Sequence, residues 1–406
     1  MQEKKVLNSG LTIVCEEIPY VQSVSLGILF KVGSRYESQK EKGLSHFIEH
    51  MLFKGTKTRS AFQIAESFDM LGTHVDAFTG REYTCLYVKM IDSYLPKVLE
   101  LIADMLVNSR FDKKDIEKEQ QVILEEIKMY LDSPDEALFD IFMSGLFKNH
   151  PLGRPILGEN DTVKSFTKKD ISDYFAERYT PGNAIISLAG NLKCNKVFKL
   201  VEEKLSRWQG KKRNFVLTAP GYDYSDINRK KKLEQMHICI GTKGLPFLDD
   251  RIYTLSLLND IFGGSMSSHL FQEVREKRGL AYAISSFHDS YKDAGVFAIY
   301  AGTDTKKKDE LITVIHHEIK KLRDGNVSEK EIKKAKEQSK NSLILSMEST
   351  STRMVKLLRQ EYYYNRPVEL AEIVRKIDAV TKDGIVKLAN ELLAGKNIKT
   401  VAYGPF

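Results

Sequence analysis

The chain has 406 residues, of which 42% are hydrophobic and 29% charged, and this composition excludes the collagen-like and disordered classes of protein. Its formal net charge of +7 is too small to favour nucleic-acid binding, and the basic runs at 229–232 and 306–308 lack interleaved aromatic residues. At roughly 150 residues per domain, the length predicts two or three domains.

The sequence contains no segment typical of export or of membrane insertion. Its first residues lack the apolar run of a signal peptide, and no stretch of about 20 apolar residues occurs. The four cysteines, all in apolar surroundings and without CxxC spacing, are Cys15, Cys85, Cys194 and Cys239. We therefore expect a cytoplasmic protein with buried, reduced thiols and with neither a membrane nor a nucleic acid as partner.

Short strand-like runs alternate with longer helical patterns, which predicts an α+β fold with layers of helices on sheets. The patterns in the first third of the chain predict a strand over 24–30, a helix over 44–53, a hairpin over 73–90 that turns at 79–81, and helices over 94–108 and 114–131. The order of these elements is typical of a sheet that is covered by helices.

An internal repeat runs through the sequence. The residue types of the segment that begins at Thr167 recur from Thr381, with Thr, Lys, Ile, Asn and Gly at the same offset throughout. A helix opening at Asp112 is matched at Ser328, at nearly the same offset. Self-similarity at a fixed offset indicates one fold that is used twice.

The repeat predicts two homologous α/β half-domains, each a sheet with helices, over 1–208 and 235–406. The segment 209–234 between them carries many charges, contains Pro220 and Gly221, and has little periodicity. We interpret this segment as a linker.

The segment 43–53 contains the clearest candidate for chemistry, because two histidines lie four residues apart in it. His46 and His50 share one face of the predicted helix, with Glu49 beside them. Two imidazoles one turn apart can bind a single zinc ion, and a neighbouring carboxylate can take a proton from activated water. The alternative is a pair of satisfied surface histidines with an acidic neighbour, and a third ligand is needed to decide between them.

Two glutamates on the helix predicted over 114–131 are candidates for that ligand. Glu119 and Glu126 are seven residues apart, so about 20° separates them around the helix axis, and both fall within its apolar arc. A buried carboxylate without a partner is costly, which favours a metal; the alternative is a slightly polar stripe at a domain edge. The second half has Ala335 and Ser342 at the equivalent positions and no H-x-x-E-H motif, so we expect the metal chemistry in the first half alone.

The motif formed by His46, Glu49 and His50 resembles that of the inverted zinc-peptidase family of pitrilysin, insulin-degrading enzyme and the β subunit of mitochondrial processing peptidase. The distal glutamate of that family is matched by Glu126, which follows the motif on a separate helix. The resemblance covers essentially the whole chain. It implies one Zn²⁺ per chain, bound by both histidines and Glu126, with Glu49 as the catalytic base. It also implies that Glu119 supports catalysis at this site.

The segment 271–282 extends the resemblance into the second half. Its residues predict the end of a helix at Gly279 and a strand over 280–287. On spacing alone, Arg275 and Tyr282 are ordinary surface or strand residues. The resemblance implies instead that they are catalytic residues of the C-terminal half, Arg275 holding the substrate and Tyr282 helping to stabilise the oxyanion.

The predicted hairpin matches the edge strand onto which substrates of that family add as an extra β-strand. The residues that this match assigns to substrate binding are Asp76, Ala77, Phe78 and Thr79. The family commonly has Asn where this chain has Asp76. Main-chain hydrogen bonds along such a strand bind peptides with little sequence preference.

The sequence therefore predicts a zinc metalloendopeptidase that hydrolyses peptides or extended polypeptide segments. Single-chain members of the family that are about twice as long carry four half-domains, so we expect this chain to form a homodimer with shared active sites. In that homodimer Arg275 and Tyr282 of one protomer complete the zinc site of the other. Two alternatives stay open: a non-catalytic subunit, and a subunit of a processing peptidase that is active only in a heterodimer.

Overall fold

A computed structural model describes residues 2–213 and 215–406 of the chain. These residues divide into two compact units, each built on a sheet with helices packed against it. The first unit comprises Met1–Met129, Arg154–Leu217 and Ser346–Pro367, and the second comprises Tyr130–Gly153, Thr218–Leu345 and Val368–Phe406.

The sheet of the first unit is mixed. Its strands are β1 (Gln2–Val6), β2 (Thr12–Glu17), β3 (Ser23–Phe30), β4 (His74–Thr79), β5 (Thr84–Ile91) and β6 (Ala184–Gly190). They lie in the order β1-β2-β6-β3-β5-β4, in which β2 and β6 are parallel and the other neighbours antiparallel. The predicted hairpin is confirmed as β4 and β5, and β4 lies at the edge of the sheet.

The sheet of the second unit repeats this arrangement. Its strands are β7 (Ile227–Lys230), β8 (Met236–Lys243), β9 (Ala281–Ser290), β10 (Gly295–Thr303) and β11 (Lys399–Gly404). The order β7-β11-β8-β10-β9, with β7 parallel to β11, is that of β2-β6-β3-β5-β4 in the first sheet. The prediction of an α+β fold made of two similar sheet-plus-helix layers is therefore confirmed. The segment interpreted as a linker contains β7.

Helices connect and cover the strands. In chain order they are α1 (Leu44–Met51), α2 (Ala61–Met70), α3 (Leu95–Asn108), α4 (Lys113–Asp132), α5 (Pro134–Leu146), α6 (Asn160–Ser165), α7 (Lys168–Arg178), α8 (Cys194–Lys204), α9 (Ile252–Phe262), α10 (Lys308–Arg323), α11 (Glu329–Ser346), α12 (Thr350–Tyr364), α13 (Leu370–Asp378) and α14 (Lys382–Leu392). In the described part of the chain, no helix combines the length and apolarity needed to cross a bilayer.

The chain passes between the units at positions that the repeat relates. It leaves the first unit after Met129 and the second after Leu345, and these positions have the same offset as Asp112 and Ser328. The helix that follows each crossing packs on the sheet of the unit it enters: α5 on β8 and β11, and α12 on β3 and β6. The predicted half-domains therefore differ from these units at both helices, since an apolar helix face does not specify which of two similar sheets it covers.

The candidate ligands lie in the first unit, on α1 and α4. α1 begins at the predicted residue, ends two residues early, and buries a stripe of apolar side chains, Leu44, Phe47, Ile48 and Met51. α4 extends one residue beyond the prediction at each end and buries Glu119 together with its apolar neighbours. Val122, an apolar residue of the same helix, is 48% exposed. All four cysteines are buried and free.

Candidate active site

Three side chains of the first unit converge between α1 and α4. The rings of His46 and His50 lie on one face of α1, with their centroids 4.7 Å apart. Glu126 of α4 faces both: its Oε1 is 3.7 Å from His46 Nε2, and its Oε2 is 3.6 Å from His50 Nε2. One donor atom from each residue lies within 4.8 Å of the others. The structure thus brings together the three side chains that the sequence analysis assigned as metal ligands.

The protonation of His46 suits a metal ligand. Burial and the neighbouring His50 lower the pKa of His46 to about 3, so its ring is neutral at neutral pH and keeps a free lone pair. Its Nδ1 atom is buried without a hydrogen-bond partner among the described residues. Two neutral imidazole nitrogens and a carboxylate are a donor set that zinc accepts, and three protein ligands leave a fourth position for water or substrate.

Glu119 orients the second histidine. Its Oε2 lies 3.0 Å from His50 Nδ1, and its Oε1 lies 2.6 Å from Lys54 Nζ. Burial of Glu119 would raise its pKa, but the hydrogen bonds from His50 and Lys54 lower it below the usual range. The carboxylate is therefore ionised and accepts, so Nδ1 of His50 carries the proton and Nε2 presents a lone pair towards Glu126.

The basicity of His50 reflects the same contacts. Burial alone would lower its pKa, yet the hydrogen bond to Glu119 and the charges of Glu126, Glu119 and Glu49 outweigh that effect and raise it. A more basic imidazole is a stronger donor to a metal. Lys54, which stabilises Glu119, was not singled out from the sequence, where its signal is only a positive charge four residues after His50.

Glu49 is half-buried beside the three converging side chains. The hydroxyl of Thr79, at the end of β4, donates a hydrogen bond to Glu49 Oε2. Burial raises the pKa of Glu49, although the hydrogen bond from Thr79 opposes this effect. A carboxylate with a raised pKa is suited to accept and return a proton near neutral pH. Thr79 was predicted to bind substrate through its main chain, and this contact of its side chain was not predicted.

The other residues assigned to substrate binding lie along β4. Asp76 Oδ2 accepts a hydrogen bond of 2.8 Å from the hydroxyl of Tyr87, and its Oδ1 accepts from the amide of Ala77. The ring of Phe78 is 40% exposed and contacts the ring of Tyr87, with centroids 6.2 Å apart. Because β4 is the last strand of its sheet, its outer edge has no strand beside it in the described residues.

Arg275 and Tyr282 belong to the second unit and contact each other there. The guanidinium carbon of Arg275 lies 4.8 Å from the ring centroid of Tyr282 and 4.8 Å from that of Phe271. The Tyr282 side chain is 79% exposed, so its hydroxyl is accessible to a ligand. Stacking between a cation and two aromatic rings restricts the conformations of the arginine.

The helical segment before Tyr282 differs from the prediction. Residues Phe271–Glu276 form a π-helix, and Gly279 adopts a φ of +55°, the left-handed conformation expected at the end of a helix. The wider turn was not foreseen, because hydrophobic spacing does not distinguish a single π turn from an α-helix. β9 begins at Ala281, one residue after the predicted start.

Comparisons with known proteins place the chain in a family. A family model described as insulinase (peptidase family M16) matches residues 12–160, and one described as the peptidase M16 inactive domain matches residues 165–339. A Bacillus subtilis protein named uncharacterized zinc protease YmxG is 41% identical, over 97% of this chain and 96% of its own length. An uncharacterized zinc protease of Rickettsia felis is 40% identical, over 96% of this chain and 94% of its own.

Solved structures share the fold over the full length. A protease from Helicobacter pylori superposes with a TM-score of 0.91 at 25% identity, covering 100% of this chain and 99% of its own. A peptidase M16 inactive domain from Pseudomonas fluorescens gives a TM-score of 0.93 at 19% identity, and the match covers 100% of this chain and 98% of its own. The chain belongs to the insulinase family of peptidases, peptidase family M16.

Proposed function

We propose that this chain is a zinc-dependent endopeptidase that hydrolyses peptides or extended polypeptide segments, with one Zn²⁺ per chain held by His46, His50 and Glu126. The observation that carries the proposal is the convergence of these donors within 4.8 Å, next to a half-buried Glu49 that is not one of them. A structural zinc site usually has four protein ligands, whereas three ligands with an adjacent carboxylate are typical of hydrolytic sites.

Different residues of the chain have different roles in the proposed hydrolysis of a peptide bond. When bound, zinc supplies a Lewis acid that makes water acidic near neutral pH and polarises a carbonyl oxygen. Glu49 accepts the proton of the attacking water on its carboxylate and later delivers it to the leaving amine. The hydroxyl of Thr79 holds that carboxylate in place. Tyr282 donates a hydrogen bond to the oxyanion that develops on the substrate, and Arg275 holds the substrate.

The substrate adds to the edge of the sheet at β4. An extended peptide beside Asp76, Ala77, Phe78 and Thr79 gains main-chain hydrogen bonds that depend little on its sequence. This mode of binding requires an unfolded segment, because a folded domain cannot offer a free strand. The proposal therefore predicts cleavage of peptides and disordered segments in preference to folded proteins.

The active form in this proposal is a homodimer with shared sites. Mixing an inactive Glu49→Gln protomer with an inactive Tyr282→Phe protomer then restores activity, because one of the two sites in the mixed dimer is complete. If no activity returns although subunits are shown to exchange, sharing is wrong. An active monomer would also contradict it.

Zinc content and peptide hydrolysis together test the function. We expect Glu126→Gln to lose both, and Glu125→Gln to keep both, because Glu125 is exposed and pairs with Lys128 at 2.6 Å. If the wild-type homodimer binds zinc without hydrolysing any extended peptide, the chain is a non-catalytic subunit. Activity that appears only with a second, different chain would assign it to a heterodimer.

A further inference from the structure

A buried carboxylate outside the proposed ligand set caps the helix that carries the two histidines. Glu37 is 3% exposed and lies in the segment before α1. Its Oε2 accepts a hydrogen bond of 2.8 Å from the amide of Gly43, and its Oε1 accepts one of 2.8 Å from the amide of Ser45. One side chain therefore satisfies two of the amides that the start of a helix leaves without a partner.

No side chain at the usual capping position can do this. Gly43, the N-cap residue of α1, has a φ of +88° and no capping side chain. A Cβ atom there would lie 2.6 Å from the carbonyl oxygen of Leu157 and 2.8 Å from the Cα of Gly158, so the backbone is too close for any larger residue. The cap has to come from elsewhere, and Glu37 supplies it.

The position of α1 depends on such contacts because the helix is short. It contains 8 residues, too few to be stable without tertiary contacts. His46 is its third residue and lies in the capped first turn, whereas His50 lies in the last. Fraying or rotation at the capped end would move His46 relative to Glu126 while leaving His50 on Glu119.

We infer that Glu37 is a positioning residue of the metal site, whose carboxylate fixes the first turn of α1 and thereby holds Nε2 of His46 towards Glu126. This inference rests on the proposed function, since it assigns the fixed geometry to metal binding. Glu37 is itself held in place by Arg154, which donates a hydrogen bond to the main-chain carbonyl oxygen of Glu37.

The energetics of Glu37 favour a role beyond general stability. Burial raises the pKa of Glu37 to about 7, against the hydrogen bonds from Ser45 and Gly43, which lower it. The buried carboxylate is thus a costly way to cap a helix. The carboxylate does fix the geometry of the helix, because two hydrogen bonds to one rigid group determine both the rotation and the axial position of the first turn.

The test measures metal affinity in folded protein. In chelator competition, Glu37→Gln should weaken Zn²⁺ binding about tenfold. The side chain of glutamine has one oxygen, whereas the backbone amides of Gly43 and Ser45 each need an acceptor. Glu37→Asp keeps the charge but is one methylene shorter, so a smaller loss is expected; it is the informative variant if Glu37→Gln does not fold. Circular dichroism selects variants with the wild-type helix content.

A matched control separates positioning from loss of stability. Val201→Ala removes buried side-chain volume from α8, which packs on α3 and β2, and it should lower the melting temperature without weakening zinc binding. If folded Glu37 variants bind zinc as tightly as wild type, or lose no more affinity than Val201→Ala, the inference is wrong. If wild type itself binds no zinc, the proposed function fails and this inference with it.

Discussion

The Nδ1 atom of His50 lies 3.0 Å from Oε2 of Glu119, and this contact sets which ring nitrogen is free to bind a metal. The pKa of Glu119 is lowered by its hydrogen bonds with His50 and Lys54, which outweigh the effect of burial, so the carboxylate accepts and the imidazole donates. Nε2 of His50 is left as the lone-pair donor.

Replacing this carboxylate should weaken zinc binding without abolishing it. Glu119→Gln removes the charge that fixes the His50 tautomer, and second-layer changes of this kind cost roughly 10- to 100-fold in metal affinity. Chelator competition gives the affinity, with Glu117→Gln, an exposed change on the same helix, as control. Equal affinities for the two variants would mean that Glu119 does not orient His50.

Thr79 should affect turnover rather than metal content. Thr79→Val removes the hydroxyl that donates to Glu49, and loss of a hydrogen bond to a charged group predicts a fall in kcat of about tenfold or more. Thr79→Ser keeps the hydroxyl and should stay near wild type, and both variants should bind zinc normally. A serine variant as slow as the valine variant would show that the methyl group matters instead.

Zinc should stabilise the folded chain through the three proposed ligands. A metal that binds only the folded state adds about 2.7 kcal/mol to the free energy of unfolding at a hundredfold excess over its Kd. Urea denaturation with zinc and with a chelator measures this difference. We expect it to vanish in Glu126→Gln and to persist in Tyr282→Phe, whose side chain lies in the second unit. If zinc still stabilised Glu126→Gln, the metal would bind at a site other than the proposed one.

Glu37 should make stability depend on pH in a defined direction. Its pKa rises from 4.5 unfolded to about 7 folded, so between these values the folded state binds more protons and the free energy of unfolding falls as pH rises. The difference between wild type and Glu37→Gln, measured by urea denaturation of metal-free protein, should therefore decrease from pH 5 to pH 7.5. The upper limit is about 3 kcal/mol. An increase over this range would contradict the raised pKa.

Local patterns predicted much of the fold. The run of apolar residues in β3, the stripe on α1 and the spacing of α4 placed these elements to within one or two residues, because each pattern reports a face that is buried locally. The helix spacing also placed Glu119 and Glu126 on one side of α4, where the structure finds both near the histidines.

Contacts between distant segments were not predictable in this way. The packing of α12 on β3 and β6 joins segments from opposite ends of the chain, for example the hydroxyls of Ser25 and Thr350 at 2.9 Å. The cap by Glu37 depends on the close approach of Gly43 to Gly158. The exposure of Val122 depends on which other elements pack against α4. None of these relationships leaves a periodic signal in the sequence.

In the proposed mechanism Glu49 is the base of a zinc-dependent peptidase. The decisive measurement is the hydrolysis of a quenched-fluorescent extended peptide by Glu49→Gln, with zinc measured in the same samples. We expect the variant to keep one zinc per chain and to lose at least about a hundredfold in kcat, the usual contribution of a general base. If the variant keeps its zinc and also hydrolyses the peptide at the wild-type rate, Glu49 is not the base.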